Sequence, residues 1–508
     1  MNELGSLDRF FAETLLKKAG IQSESIALGL ARLMQGSRGG NLCLTKEQLG
    51  IESLPCSIAE EGKTLFPKAP IVWSEDRYYL QKNWVYETYI LQETLRLRKN
   101  QPPSYFDRSA FEAQLPKKLL PAQADAIRTA LKQSLTLICG GPGTGKTYTA
   151  AHLVNLLFSS LKREEKKHFR VCVAAPTGKA ASHLQASLQA HGCSSPDLHI
   201  QASTLHRLLK LQPGSSRLFT GGRIDADLII VDEASMIDIP LLAHLLEAVG
   251  DDSLLVLIGD PNQLPPIEAG SLFSDMSSLF GIYLDRCMRT EDRQLQELAQ
   301  AVKQGNSADF FRLWIPNETS ETLYSKIDPI VSPNQPDPQT CLDKYSRFRI
   351  LNAIRQGPEG SDAINGQIFQ MLQKKSKWWA APILATVNDP FSEIYNGMSG
   401  LLIGQNPRDA AAYFPDPSSG ELRRFATPPP HELAFCLSVH KSQGSEFEEI
   451  LVLFPPGSEN FGRESLYTAI TRAKKKIEIR GGREILEKMI ASSSHMASGF
   501  RFRAEASM

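Results

Sequence analysis

The sequence predicts an α/β fold: two parallel-sheet halves around a shared cleft, behind a smaller, mainly helical N-terminal domain and carrying small β insertions. Three observations predict it. From about residue 111 onward, short aliphatic runs ending in Gly, Pro or Asp alternate with helical segments, the pattern of strands buried on both faces of a parallel sheet. One such run opens into a glycine-rich loop that a helix follows. The chain has 508 residues, 42% of them apolar, which is more than one core absorbs.

The elements follow in order. Residues 1–110 mix amphipathic helices with a hairpin expected at Pro70–Leu80, where Ser-Glu-Asp separates two strand-like runs. Gln101-Pro-Pro-Ser104 reads as a linker. Residues 111–280 form the first α/β half, with strands expected at Leu135–Cys139, Val171–Ala175, Leu228–Val231 and Leu254–Ile258. A turn-rich stretch at about 210–225 suggests a short hairpin insertion, and Pro316–Pro338 an exposed loop. Residues 281–508 form the second half, with strands expected at Pro382–Thr386, Leu433–Val439 and Ile450–Phe454. Between them, about 396–430 reads as a small β insertion ending in Pro428-Pro-Pro430. Lys374-Lys-Ser-Lys-Trp-Trp379 mixes cations and aromatics, but it runs into an apolar strand and is assigned to packing.

Composition excludes several classes. Lys plus Arg equals Asp plus Glu at 56 each, so a wholly basic nucleic-acid coat is out, though a local basic groove is not. Apolar runs are strand-sized, well short of the ~20 residues a membrane span needs. The start carries charge where a secretory signal carries an apolar core, and a cytoplasmic location with no membrane partner is expected. The eight cysteines are scattered without C-x-x-C, which argues against disulfide, zinc and iron–sulfur frameworks.

Gly140-Gly141-Pro142-Gly143-Thr144-Gly145-Lys146-Thr147 fits G-x-x-x-x-G-K-[ST] at each position, between a strand and a helix. Glycines let backbone N–H groups approach phosphates, Lys146 supplies a cation to them, and Thr147 offers a hydroxyl to Mg²⁺. Leu228-Ile-Ile-Val-Asp232-Glu233 brings two carboxylates to the sheet edge: Asp232 to hold Mg²⁺, Glu233 to polarise the attacking water. Gln263, at the tip of the next strand, can sense the γ-phosphate. Gln123, before the loop, could read the adenine edge. Arg289 and Arg472 are candidate arginine fingers, though spacing alone would single out neither.

In this order the blocks resemble the superfamily 1 helicases, and within them the RecD group of superfamily 1B. Gln123 resembles the Q motif, the phosphate loop motif I, Ala175-Pro176-Thr177 motif Ia, and Thr204-Leu-His206 the next block. Asp232-Glu233 resembles motif II, Gly259-Asp-Pro-Asn-Gln263 motif III, and Arg289 falls at motif IV. Ser438-Val-His440-Lys441-Ser442-Gln-Gly444-Ser-Glu446 resembles motif V, and Tyr467-Thr-Ala-Ile-Thr-Arg472 motif VI. Gly40-Asn-Leu-Cys-Leu44, Tyr78-Tyr-Leu and Trp84-Val-Tyr-Glu87 are similar to the front domain of RecD subunits of RecBCD (exonuclease V, alpha chain), with Asn41 where that family commonly has His.

The resemblance implies two RecA-like P-loop domains, a strand-separating hairpin at about 210–225, an SH3-like β insertion and an N-terminal docking domain. It implies an ATP- and Mg²⁺-dependent DNA helicase moving 5′ to 3′ on single-stranded DNA, acting at duplex ends in a heterotrimer with RecB-like and RecC-like subunits that processes double-strand breaks. Nuclease activity falls to a partner, since no acidic cluster beyond Asp232-Glu233 suggests a metal pair. ATP is expected at Gln123, Gly140–Thr147, Gly444 and Glu446, with Lys146, Glu233, Gln263, Arg289 and Arg472 catalytic. DNA is expected at Pro176, Thr177, Thr204, His206, His440, Lys441 and Ser442. Competing readings are a stand-alone helicase, a motor of opposite polarity, and a non-catalytic ATP-binding scaffold.

Overall fold

The computed structural model describes residues 4–101, 103, 114–211, 222–266, 270–286, 293–315, 336–375, 377–389, 391–416, 420–493 and 496–508. Most of the expected hairpin insertion (212–221), most of the Pro-rich stretch (316–335) and Arg289 lie outside them.

The first half is a six-stranded, all-parallel sheet in the order Gly281–Tyr283, Leu135–Cys139, Leu254–Gly259, Leu228–Val231, Arg170–Ala175, His199–Thr204. The three strands Leu135–Cys139, Leu228–Val231 and Leu254–Gly259 are buried at every residue, each enclosed aliphatic side chain contributing roughly 1.5–3 kcal/mol. Helices Lys146–Ser160 and Ile239–Ala248 belong to the two cores flanking this sheet. The two outermost strands were not expected, because neither is an uninterrupted apolar run: His199–Thr204 has no fully buried residue.

The second half holds a four-stranded parallel sheet, in the order Cys436–Ser438, Phe348–Asn352, Phe447–Phe454, Ala473–Gly481. Here the structure departs from expectation. Trp379–Ala385 belongs to a separate, antiparallel five-stranded sheet with Ser399–Gly404, Ala411–Pro415, Leu422–Phe425 and His431–Leu433. It is buried at all seven residues, since helices Pro338–Arg347 and Ser361–Lys375 cover it, so it carries the signature of a parallel strand without being one. The run expected as one strand at 433–439 divides between the two sheets, changing over at Ala434 and Phe435. Trp379 is an enclosed core residue, its ring edge-on to Phe369 at 4.9 Å.

The N-terminal region packs helices Ser6–Ala19 and Glu24–Arg38 against a four-stranded sheet. The hairpin joins Ile71–Ser74 to Arg77–Leu80, with Glu75 at φ +55° in the turn. Helix Gln81–Lys99 then lies against Ile239–Ala248 of the first half. The end of the chain returns here. Leu42 N donates to Ala497 O (2.8 Å) and Ala497 N to Asn41 Oδ1 (2.7 Å). Ser498 Oγ donates to Asp275 Oδ2 (2.7 Å) in the first half. Helix Phe500–Ser507 sets Arg503 against fully enclosed Glu87 (3.0 Å) and Thr88 Oγ1 (2.7 Å). Glu87 also accepts from Gly499 N (2.9 Å) and Tyr79 Oη (3.2 Å). Burial pushes its carboxyl up, and Arg503 and these donors pull it back.

Candidate nucleotide cleft

Each functional segment of the first half begins where a parallel strand ends, at the edge where α/β sheets bind ligands. Cys139 delivers the chain to Gly140, whose N–H donates to Gly259 O (3.1 Å) and ties the loop to the neighbouring strand. Gly145 takes φ +85°, and a Cβ there would lie 2.7 Å from Gln123 Nε2. Gln123 is buried against the loop, and its Oε1 accepts from Leu120 N (3.0 Å). Lys146 opens the following helix, and its Nζ donates to Gly140 O (2.7 Å) and Gly141 O (2.9 Å). Thr144 Oγ1 donates to Gly141 O (2.9 Å), and Thr147 stands in the helix's first turn. Gly140, Gly141, Pro142 and Thr144 line a cleft of about 650 Å³, closed on the other side by Glu446, Tyr467 and Lys474 of the second half.

Asp232 follows strand Leu228–Val231, and its Oδ1 accepts from Glu233 N (2.8 Å). Glu233 sits at φ +52°, left-handed backbone that costs a non-glycine residue roughly 1–2 kcal/mol. Burial drives both carboxyls above their ordinary range; beside Asp232, Lys146 pulls down, while Glu233 is raised further by Asp232 and lowered by Arg472 and Lys146. The two titrate as a unit. Two adjacent, half-buried carboxyls held up by desolvation and drawn down by nearby cations suit a divalent ion, and Asp232 with Thr147 fits the oxygen ligand set of Mg²⁺.

Arg472, 2% exposed, comes from the far side. Its Nε donates to Thr468 O (3.2 Å) one turn earlier and its Nη1 to Ser445 O (3.3 Å). Gly444 takes φ +69°, and a Cβ there would lie 3.8 Å from Glu233 Oε1. Glu446 pairs with Lys474 (3.5 Å). Gln263 is buried, with Nε2 on Asp260 Oδ2 (3.2 Å). Thus Lys146, Glu233, Gln263 and Arg472 meet at one seam.

Sequence reasoning missed the bonds that close this seam. Leu264 N donates to Thr468 Oγ1 (2.9 Å), Gln443 Nε2 to Leu264 O (2.8 Å), and Lys179 Nζ to Ser445 Oγ (2.7 Å). The available signal was Thr468, in the same short block as Arg472 and in the last turn of helix Gly462–Ile470.

The residues expected to meet DNA divide. Thr177 and Thr204 use their hydroxyls to cap helices, accepting from Ala180 N and Arg207 N (both 3.3 Å). Pro176 directly follows strand Arg170–Ala175 and is partly exposed. His206 is exposed, so it is no core histidine. His440 is half-buried, and burial lowers its pKa, keeping it neutral near pH 7. Lys441 is exposed and ion-paired to Glu432. Ser442, also expected to meet DNA, is fully enclosed, its Oγ donating to Val439 O (2.7 Å), because the 3₁₀ turn His440–Ser442 rolls it inward.

Residues 123–269 match the AAA domain family, and 433–478 the UvrD-like helicase C-terminal domain. The chain is 30% identical to the RecBCD enzyme subunit RecD of Mycolicibacterium smegmatis, over 98% of this chain and 96% of that one. The chain belongs to the RecD family. An ATP-dependent RecD2 DNA helicase of Deinococcus radiodurans is 28% identical over 71% of this chain but only 48% of its own. The crystal structure of Pif1 helicase from Candida albicans aligns with 77% of this chain and 99% of that chain, at 19% identity and a TM-score of 0.47.

Proposed function

We propose that the chain is the ATP-dependent, 5′-to-3′ DNA helicase subunit of a RecBCD-type complex, acting on duplex ends with RecB-like and RecC-like partners. One observation carries this reading: at the seam of two parallel-sheet halves, buried Arg472 donates to Ser445 O, next to Gly444, where a Cβ would lie 3.8 Å from Glu233 Oε1. Chemistry there is coupled to closure. End-to-end similarity to RecD subunits, against partial similarity to the longer RecD2 enzyme, favours a subunit over a stand-alone helicase.

In this reading the loop from Gly140 to Thr147 cradles the phosphates, with Gln123 behind it on the base side and Gly444 and Glu446 opposite. Thr147 and Asp232 would hold Mg²⁺, which when bound neutralises phosphate charge. Glu233 accepts the proton of the attacking water, Gln263 orients that water, and Lys146 and Arg472 stabilise the γ-phosphoryl charge, with Arg289 proposed beside them. Loss of the γ-phosphate removes what Arg472 pairs with, and the cleft reopens. Single-stranded DNA is gripped alternately along Pro176, Thr177, Thr204, His206, His440 and Lys441, with Ser442 contributing through its backbone. Such contacts are sequence-tolerant and weaken with salt.

The test is ATP hydrolysis by the full chain with and without oligo-dT, beside Lys146→Gln. Strong stimulation that the variant loses is expected. A folded chain that binds ATP but hydrolyses none with DNA would favour the scaffold reading. Duplexes with a single 5′ or 3′ tail then fix polarity.

A further inference from the structure

Helix Gly462–Ile470 sends across the cleft a side chain that the scheme above leaves unused. Tyr467 is 6% exposed, its hydroxyl donates to Asp260 Oδ2 (3.0 Å), and it stands 3.0 Å from where a Cβ on Gly141 would sit. The same Asp260 oxygen accepts from Gln263 Nε2 (3.2 Å). Oδ1 is occupied by Asn262, through its backbone N (3.1 Å) and side-chain Nδ2 (3.2 Å). Asp260 itself is 2% exposed.

Gln263 Oε1, by contrast, is enclosed with no hydrogen-bond partner. A buried acceptor without a donor is costly, and where one persists it calls for an explanation. Fixing the amide nitrogen on Asp260 fixes the direction of its carbonyl, because the two ends of a planar amide turn together. The backbone beside Gln263 is tied to the same helix through Leu264 N and Thr468 Oγ1. The one helix therefore touches both the carboxylate that holds the Gln263 amide and the backbone beside it.

We infer that Tyr467 is a positioning residue: donating to Asp260 from the second half, it holds the carboxylate that orients Gln263, so that the Gln263 carbonyl meets the attacking water only in the closed cleft. A phenol suits this task because it donates a hydrogen bond without adding charge beside the phosphates. The inference rests on the ATPase reading above and deepens it.

The experiment is steady-state ATP hydrolysis by the full chain with saturating oligo-dT, for wild type, Tyr467→Phe, Gln263→Ala and the double variant. Tyr467→Phe should lower kcat about 10-fold while KM for ATP stays within about twofold. The double variant should be no slower than Gln263→Ala alone, since residues acting as one unit are not additive. If Tyr467→Phe melts below wild type, Asp260→Asn breaks the same link from the other end and carries the same expectations. A wild type without DNA-stimulated hydrolysis overturns the ATPase reading, and this inference with it. An active wild type overturns the inference alone if kcat is unchanged in Tyr467→Phe, if only KM rises, or if the two losses multiply.

Discussion

Two carboxylate sites in this molecule are opposites, one fully enclosed at Glu87 and one half-buried at Asp232 and Glu233. Glu87 is surrounded by permanent donors: Arg503, Tyr79 and the Gly499 N–H. Asp232 and Glu233 sit beside each other, raised by burial, and their cationic relief comes from Lys146 and from Arg472 on another half of the molecule. The first arrangement is complete and serves to hold the chain. The second awaits charge and can change state. The lesson is that burial of an acid says little by itself; what distinguishes structure from chemistry is whether its partners can leave.

Substitutions break this contrast in a graded order. Arg472→Ala should cost the most, about 10³-fold in DNA-stimulated kcat, the scale of a lost arginine finger. Its melting temperature should fall little, and a loss of both together would make Arg472 a structural cation. Glu233→Gln should follow, at about 10²-fold or more in kcat with ATP binding retained in a fluorescent-nucleotide titration. Arg503→Met should invert the pattern. Leaving Glu87 without its cation should destabilise by about 3 kcal/mol in urea melts, while ATPase at low temperature stays within about twofold. Asn41→Ala, which removes one acceptor for Ala497 N, should cost only about 1 kcal/mol.

Acidity sharpens the same comparison. Glu233 must be ionised to take a proton, and burial raises its pKa above the ordinary 4.5. Activity should therefore fall as pH falls and Glu233 takes up a proton. An acid limb that persists unchanged in the residual activity of Glu233→Gln would remove Glu233 from the role of base.

Much of the cleft was legible in the sequence because its parts are contiguous. The phosphate loop, Asp232-Glu233 and Gln263 each follow directly from a buried strand, and a strand's end is a fixed address in a parallel sheet. What escaped notice lies between distant segments. Tyr467 reaches Asp260 across 207 residues, and Arg503 reaches Glu87 across 416. No periodicity encodes such a pairing. Trp379–Ala385 failed for another reason: enclosure on both faces makes an antiparallel strand spell like a parallel one. Ser442 reads as a polar motif residue, and only the turn decides that it faces inward.

The returning tail alters how the chain should be divided. Helix Phe500–Ser507 rests on Gln81–Lys99 and on Phe273–Phe280, elements of the N-terminal region and the first half. The second half is therefore flanked in sequence by segments that pack on each other: Gln81–Lys99 and Phe273–Phe280 before it, Phe500–Ser507 after it. Cutting the chain once between the halves would part Phe500–Ser507 from the helices it rests on, whereas excising the second half and splicing that helix back would keep those contacts.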